Sequence, residues 1–432
     1  MKRLFFILWI ICSPLSAQEQ NSLDWDIEKI FDDPVLDQSV EESDNDTNDK
    51  ETETTVIQQI RKRGIYFDAS YNFEVGIIPG WNMVPWDSDF KNSELFLNRH
   101  IRMRGTFTTD AQISDVFRVL NSITLTIPDT NSSSSILNFS LGDFFFDYNV
   151  FNVVFVRGGK YELSWGISPN FHFTNLLSRI SEGGTGGPSY VFKMDIPVGK
   201  GGFQALAMTR FDLLQSTVDN LPEKEDFGFG GKYNLVFSWA DFNLGFFYKD
   251  GMPFRSFLSI KTTVWNFELY NEWLLVINVN DPSDVSGAGN IGIGRDFFDR
   301  RFSVNGELLY NGEKGSYRYQ PESSFRKAEA VPSVEGFNIA LNLSYKPWNK
   351  GNPRLFFRTL YAPIDNSAQL VPGFRLSPLP HIELYLAVPM NLGDSGYYYE
   401  NTIMLDNKNE PLRFAVVLLV TLNGSAQLRY NY

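Results

Sequence analysis

The chain has 432 residues, a formal net charge of −13, 15% aromatic residues and only 21% charged residues. A soluble globular protein usually carries more charge. Beyond the N-terminal segment, no apolar run reaches the roughly 18–20 residues that a membrane-spanning helix needs. The composition therefore excludes a helical membrane protein and favours many short strands.

The N-terminus has the three parts of a secretory signal. Two basic residues precede an apolar run over 4–11, and small residues follow up to a cleavage site at Ala17. We predict a signal peptide over 1–17. Lipid modification of Cys12 is the alternative, which the bulky residues before it disfavour. Because Cys12 is the single cysteine, cleavage leaves no disulfide and no thiolate metal site.

Residues 18–56 hold most of the negative charge, with 14 acidic and two basic side chains. Such a segment has too few apolar groups to bury, so we predict a disordered periplasmic leader. Its carboxylates lack the glycine turn and final glutamate of an EF-hand loop. The remainder of the chain is close to neutral and has no basic stripe, which argues against binding of nucleic acid.

Strict alternation of apolar and polar residues begins at Gly64. Ile65, Phe67 and Ala69 occupy one face, whereas Tyr66 and Asp68 occupy the other. This period of two is typical of a strand with one apolar and one polar face. Similar alternation recurs over 203–211, 227–238, 302–310, 337–345 and 414–422.

Two architectures accept such strands, namely a soluble sandwich and a transmembrane barrel. The segments are longer than the usual 5–6 residues of soluble strands and approach the roughly 9–11 residues of a tilted strand crossing a bilayer. Aromatic residues also gather near segment ends, as an interfacial belt requires. We therefore predict an all-β, antiparallel, up-and-down transmembrane barrel over 57–432, with about 18 strands (16 to 20). The weakest predicted strands are 291–293 and two pieces around Asn423-Gly424.

Short and long links mostly alternate along the chain, as in bacterial barrels, although the links near 250–253 and 362–367 are short where long ones are expected. We predict short links at 198–201, near Ala240, at 263–264, at 347–352 and at 377–380, and long links at 78–93, 161–187, 212–225, 276–289 and 311–335. A periplasmic leader places the long links outside the cell.

The C-terminus carries a family resemblance. Aromatic and apolar residues alternate back from Tyr432 through Tyr430, which resembles the terminal signal that the barrel-assembly machinery reads in bacterial outer-membrane barrels. The segment 156–166, with its R-x-G-K-x-x-x-x-W-G pattern, resembles one seen in several substrate-selective porin families. The resemblance implies a passive channel for small hydrophilic solutes in the outer membrane of a diderm bacterium. It assigns no subfamily, and it leaves a monomer and a homo-oligomer both open.

In such a barrel the polar face lines the water-filled lumen. The predicted pore-lining residues are Arg102, Arg104, Lys193, Arg210, Lys232, Lys249, Lys261, Arg358, Asp68, Glu74, Glu268 and Glu307. Opposed charges across a narrow pore favour polar solutes, and the slight excess of basic residues predicts weak anion preference.

The link at 161–187 is long and rich in apolar residues, so we predict that it folds inward as a constriction loop. Its candidate residues are Trp165, Phe171, His172 and Arg179. The glycine run at 183–187 lacks the Lys-Ser/Thr ending of a phosphate-binding loop, and we interpret it as a hinge.

Catalysis is not expected. The sequence has three histidines, far apart, and lacks a G-x-S-x-G motif. No cofactor or metal site is predicted. The alternative function is a surface adhesin or a transporter of hydrophobic compounds on the same barrel, for which the polar leader makes a poor plug.

Overall fold

The computed structural model describes residues 64–127, 137–161, 163, 165–167, 169–171, 189–209, 226–313, 336–348, 351–393, 403–404 and 411–431. The predicted signal peptide and acidic leader lie outside the described residues.

The described chain forms one closed antiparallel barrel of 18 strands, which confirms the predicted fold and strand number. The first eight strands are β1 (Gly64–Trp81), β2 (Leu95–Ser114), β3 (Phe117–Ile127), β4 (Asn138–Val150), β5 (Val154–Tyr161), β6 (Ser189–Val198), β7 (Gly201–Thr209) and β8 (Phe227–Val236). The next eight are β9 (Ala240–Lys249), β10 (Phe254–Val264), β11 (Phe267–Ile277), β12 (Val285–Phe297), β13 (Phe302–Gly312), β14 (Gly336–Tyr345), β15 (Arg354–Ala362) and β16 (Ser367–Leu379).

The last two strands are each interrupted once. β17 consists of Ile382–Ala387 and Met390–Leu392, and β18 of Phe414–Ala415 and Val417–Asn431. A short 3-10 helix (Phe90–Asn92) lies between β1 and β2, and Ile403–Met404 pairs with Pro411–Leu412 between β17 and β18. Among the described residues, no helix has the length and hydrophobicity to cross a membrane.

Every strand pairs with its sequence neighbours, and β1 also pairs with β18. Glu74 on β1, for example, lies opposite Arg102 of β2 on one side and Thr421 of β18 on the other. This closure leaves the wall without an exposed edge, so its backbone donors and acceptors bond within the sheet.

The links mostly alternate in length, with short turns at one end of the barrel and most of the longer links at the other, although the links over 250–253 and 363–366 at the second end are short. The turn expected at 263–264 lies two residues later, where Trp265 and Asn266 adopt positive φ of 52° and 64°. Such φ values are typical of tight hairpin turns.

The expectation of separate pieces around Asn423-Gly424 is wrong, because both residues lie within β18. Gly424 pairs with Tyr71, whose ring occupies the space that a Cβ at 424 would need. The glycine therefore marks a site that accepts a ring, and not a turn. The doubtful segment 291–293 is the centre of β12.

The apolar face of the strands is the exposed one. On β1, Tyr71 is 51% exposed and Phe67 is 44% exposed, whereas Glu74 on the opposite face is 5% exposed. The same arrangement holds around the barrel, so the apolar surface is on the outside and most polar side chains of the strands face the interior.

This arrangement predicts that an arginine substitution destabilises the barrel much more on the outer face of a strand than at the adjacent inner-face position. Leu244, in the middle of β9, is 55% exposed on the outer face. Leu244→Arg should lower the free energy of unfolding in lipid vesicles by about 2–4 kcal/mol, because a lipid-facing cation near the bilayer midplane is costly. Urea unfolding of the vesicle-inserted protein measures the effect.

The matched control is Asn243→Arg, one residue away. Asn243 pairs with Asn234 and Ser259 on the inner face, where an added cation remains hydrated. Equal destabilisation by the two substitutions would contradict the assignment of the faces.

Candidate functional site

The chain between β5 and β6 enters the barrel. Trp165 is 1% exposed and Phe171 is completely buried. Both belong to an interior cluster of apolar residues with side chains from β4 to β15. The described part of this link therefore packs against the inner wall, as a constriction loop must.

The Trp165 ring packs directly over Gly230 of the inner wall, in a slot that this glycine leaves open. A Cβ at Gly230 of β8 would lie 2.8 Å from the indole ring, so only glycine leaves room for Trp165 there. The Phe257 ring of β10 lies 5.7 Å away between centroids. The alternation F-G-F-G-G at 227–231 places the phenylalanines outside and Gly228 and Gly230 inside.

A chain of polar side chains holds Trp165 in this slot. The indole N–H donates to Gln204 Oε1 at 2.5 Å, and the Gln204 amide donates to Asp195 Oδ1 at 2.7 Å. Asp195 in turn pairs with Lys193, with 2.6 Å between Nζ and Oδ2. The loop is thus connected to an ion pair on the barrel wall.

The far end of the described loop reaches the opposite wall. The Asn170 amide donates to Asn305 Oδ1 of β13 at 2.6 Å, and Asn342 of β14 donates to Asn170 Oδ1 at 2.5 Å. These two strands are eight and nine positions along from β5 in a barrel of 18. The described residues of this link therefore extend from β5 to the opposite side of the lumen.

Glu307 of β13 organises this second anchor. Its carboxylate accepts the backbone N–H of Asn170 at 3.3 Å, the Tyr270 hydroxyl at 2.7 Å and the Asn290 amide at 3.4 Å. Gly292 makes room for the Tyr270 ring, because a Cβ at that position would overlap it. Glu307 is 3% exposed, and these hydrogen bonds compensate for its removal from water.

The described pore-lining candidates all lie on the inner face. By strand register this set comprises Arg102, Arg104, Lys193, Lys232, Lys249, Lys261, Arg358, Asp68, Glu74, Glu268 and Glu307. Lys261 pairs with Glu268. Arg210, His172 and Arg179 lie outside the described residues.

Solvent access divides the lumen into two parts. Near the short turns, the side chains of Arg157 and Asp195 are 28% and 33% exposed. In the half that holds the loop, His100 and Glu74 bond at 3.0 Å and are each 6% exposed. The inner wall is thus accessible at one end and tightly packed at the other.

The accessible part contains a ladder of ion pairs that the sequence analysis missed. Arg118 donates to Asp110 at 2.8 Å and to Asp147 at 3.2 Å, and Arg157 donates to Asp147 at 2.6 Å. The pairs line a cavity of about 100 Å³ that also includes Lys193. Arg157 was present in the R-x-G-K pattern, but only the strand pairing shows that it faces Asp147.

A second apolar cluster narrows the lumen from the other side. Leu412, from the link between β17 and β18, packs with Ile78, Phe96 and Tyr385. A Cβ at Gly80 would lie 2.5 Å from the Leu412 side chain. Arg358 on β15 lies between the two clusters, opposite Val371 of the second and two residues from Leu360 of the first.

Tyr430 of the predicted assembly signal lies on the outer face of β18, opposite Ile65 of β1, and is 65% exposed. Tyr432 is outside the described residues.

Solved structures with this architecture are outer-membrane channels of the Occ and Opd type. OccAB2 of Acinetobacter baumannii has a TM-score of 0.54 at 8% identity, over 84% of this chain and 98% of that chain. The fold is that of a porin-type barrel. The outer membrane protein OpdK of Pseudomonas aeruginosa has a TM-score of 0.52 at 10% identity, over 84% and 99% of the two chains. OccK5 (OpdH) of the same organism gives 0.51 at 8% identity, over 84% and 98%.

No protein-family model matches the chain, and no curated protein matches it in sequence. At these identities the similarity establishes the barrel fold alone.

The path of the loop is testable by cross-linking. Asn170→Cys combined with Asn305→Cys should react with a short bifunctional thiol reagent, because the Asn170 side chain of the loop directly contacts the Asn305 side chain of β13. A shift in mobility on a denaturing gel reports the link.

Asn170→Cys with Asn423→Cys is the control, because Asn423 bonds to Asn72 on the β1–β18 wall. The mature chain predicted here has no cysteine of its own, since Cys12 is the only one. Equal linking in both pairs, or none in the first, would contradict the crossing.

Proposed function

We propose that this chain is an integral outer-membrane channel for passive diffusion of small hydrophilic solutes. The observation that carries the proposal is the inward loop, whose described residues Trp165 and Asn170 are anchored inside the lumen to Gln204 of β7 and to Asn305 of β13. A loop in this position narrows a wide barrel to a solute-sized passage. The Occ and Opd channels that share the fold support the same function.

The charges of the inner wall determine which solutes pass. Ion pairs in the accessible half hold opposite charges on one surface, which favours polar and charged solutes over apolar ones. Arg102, Arg104 and Arg358 lie on the inner face of the wall, and this basic set favours anions. A structure of OpdK with vanillate supports including aromatic carboxylates among the solutes tested.

The remaining parts of the proposal concern the termini and the assembly. The leader over 18–56 lies in the periplasm after removal of the signal peptide at 17, and the longer links face the exterior. The exposed Tyr430 and the terminal Tyr432 are recognised by the barrel-assembly machinery during insertion. Separation of the detergent-solubilised protein by size and light scattering distinguishes a monomer from a homo-oligomer.

Reconstitution into a planar bilayer tests the channel. We expect steady single-channel currents in KCl from the mature protein, because the polar and charged inner face of the wall provides a pathway for hydrated ions. Little or no current would instead favour a closed adhesin or a transporter of hydrophobic compounds.

Asn170→Ala should raise the conductance and its fluctuations in this assay. The substitution removes the side-chain bonds to Asn305 and Asn342, and each polar group left buried without a partner costs about 1–3 kcal/mol. The loop should therefore leave its anchored position part of the time. Asn280→Ala, an exposed position between β11 and β12, is the control and should match the unmodified channel.

Arg104→Ser should shift ion selectivity toward cations. The guanidinium lies on the inner face between Asn72 and Thr126, so its removal lowers the positive potential of the pathway. The reversal potential in a KCl gradient measures the change.

Arg99→Ser is the matched control, since Arg99 is on the same strand but is exposed on the outer face. A shift of equal size in both variants would count against a role for Arg104 in the pathway.

A further inference from the structure

An arginine near the short turns points away from the lumen. Arg295 of β12 lies opposite Val304 and shares its face with Ile291 and Ile293, which are 52% and 45% exposed. By this register Arg295 belongs to the surface that meets lipid. A cation on that surface is tolerated only near an interface, where its cost falls to about 0–1 kcal/mol.

Aromatic rings fix the position of the Arg295 guanidinium. Its central carbon lies 4.3 Å from the ring centroid of Phe267 and 4.8 Å from that of Phe297. Phe302 packs against Phe297 at 6.0 Å. Aromatic belts of this kind mark the level of the lipid headgroups, here at the end of the barrel with the short turns.

The Arg295 guanidinium belongs to no ion pair within the part of the chain that the structure describes. Among the described residues, no carboxylate or other acceptor bonds to Arg295, and its Nε is buried without a hydrogen-bond partner. The adjacent Asp296 bonds instead to Ser303, at 2.5 Å. An arginine shielded from water on one side and lacking a carboxylate is a strong candidate for an external anion.

The neighbouring rim adds positive charge. Arg300 and Arg301 are exposed in the turn between β12 and β13. The backbone N–H of Lys346 donates to the carbonyl oxygen of Arg301 at 2.7 Å, so the next turn lies alongside. Four cationic residues therefore gather with two carboxylates, Asp296 and Asp299, at this section of the rim.

We propose that Arg295 and this rim bind the phosphate of an anionic phospholipid in the leaflet at the short-turn end. The planar guanidinium matches two phosphate oxygens at once, and the flanking phenyl rings hold its plane while contacting the acyl chains. The proposal rests on the membrane location proposed above. The lipid is a bound structural partner and not a solute of the channel.

Native mass spectrometry of the detergent-purified protein tests this site. Titration with phosphatidylglycerol should give a bound lipid, whereas phosphatidylcholine, with its zwitterionic headgroup, should bind more weakly. Arg295→Gln should weaken phosphatidylglycerol binding about tenfold, as expected from loss of a charge-assisted bidentate contact. Arg295→Lys, which keeps the charge without the planar fork, should fall between the two.

Lys160→Gln is the matched control. Lys160 is on the same outer face of β5 but at the opposite end of the barrel, with Nζ 6.0 Å from the Tyr190 ring centroid. This variant should bind phosphatidylglycerol like the unmodified protein. The proposal is overturned if Arg295→Gln retains full binding of phosphatidylglycerol, or if phosphatidylcholine binds to the unmodified protein equally well. It is also overturned if the substitution removes bound lipopolysaccharide and leaves phosphatidylglycerol bound.

Folding and channel activity are measured alongside. The compact mobility of the unheated barrel on a gel identifies a folded variant, and if Arg295→Gln does not fold, Arg295→Lys carries the test. Arg295→Gln should conduct like the unmodified channel. Normal conductance with unchanged lipid binding refutes the lipid site alone, whereas absence of conductance in the unmodified protein refutes the channel.

Discussion

The structure depends on one constraint, which is that a wall facing hydrocarbon must pair its own backbone groups. Closure of β1 on β18 meets this requirement around the ring. The constraint is also visible where β17 and β18 are interrupted. There Val388 donates to the Pro372 carbonyl at 2.9 Å, Ala415 to that of Pro389 at 3.0 Å, and Val416 to that of Pro79 at 2.9 Å. The irregular section therefore keeps its cross-strand bonds although proline supplies no N–H.

The two halves of the interior differ in how their charged side chains are stabilised. Near the short turns, the Arg118–Asp147–Arg157 ladder remains accessible to water, so its charged groups lose little hydration free energy. Around the loop, apolar packing excludes water, and the buried Glu307 needs a full set of donors. The two anchors of the loop also differ. Trp165 is held mainly by shape over Gly230, whereas Asn170 is held by directional bonds that position the chain across the lumen.

Period-two alternation predicted the barrel and its inner face, because each strand lies between lipid and an interior of opposite polarity. The strand number of 18 also required removal of one doubtful pair from about 20 candidate segments, since such barrels have an even number of strands. It failed at Asn423-Gly424, where glycine accommodates the ring of Tyr71 and does not begin a turn. The sequence also predicted an inward loop with Trp165 and Phe171. It could not predict that Asn170 meets Asn305 and Asn342, since contacts between residues more than 130 positions apart depend on closure of the whole ring.

An arginine side chain faces the lumen or the outside of the barrel depending only on whether its position in the strand is odd or even. Arg104 on β2 faces the lumen and Arg295 on β12 faces outward, so a register slip of one residue would exchange an inward-facing cation for an outward-facing one. Rings seated on glycines oppose such a slip, because Tyr270 fits over Gly292 and Phe257 over Gly245 only in the observed register. These pairs lie within the loop half of the barrel. These ring-on-glycine contacts therefore also fix which charges face the lumen.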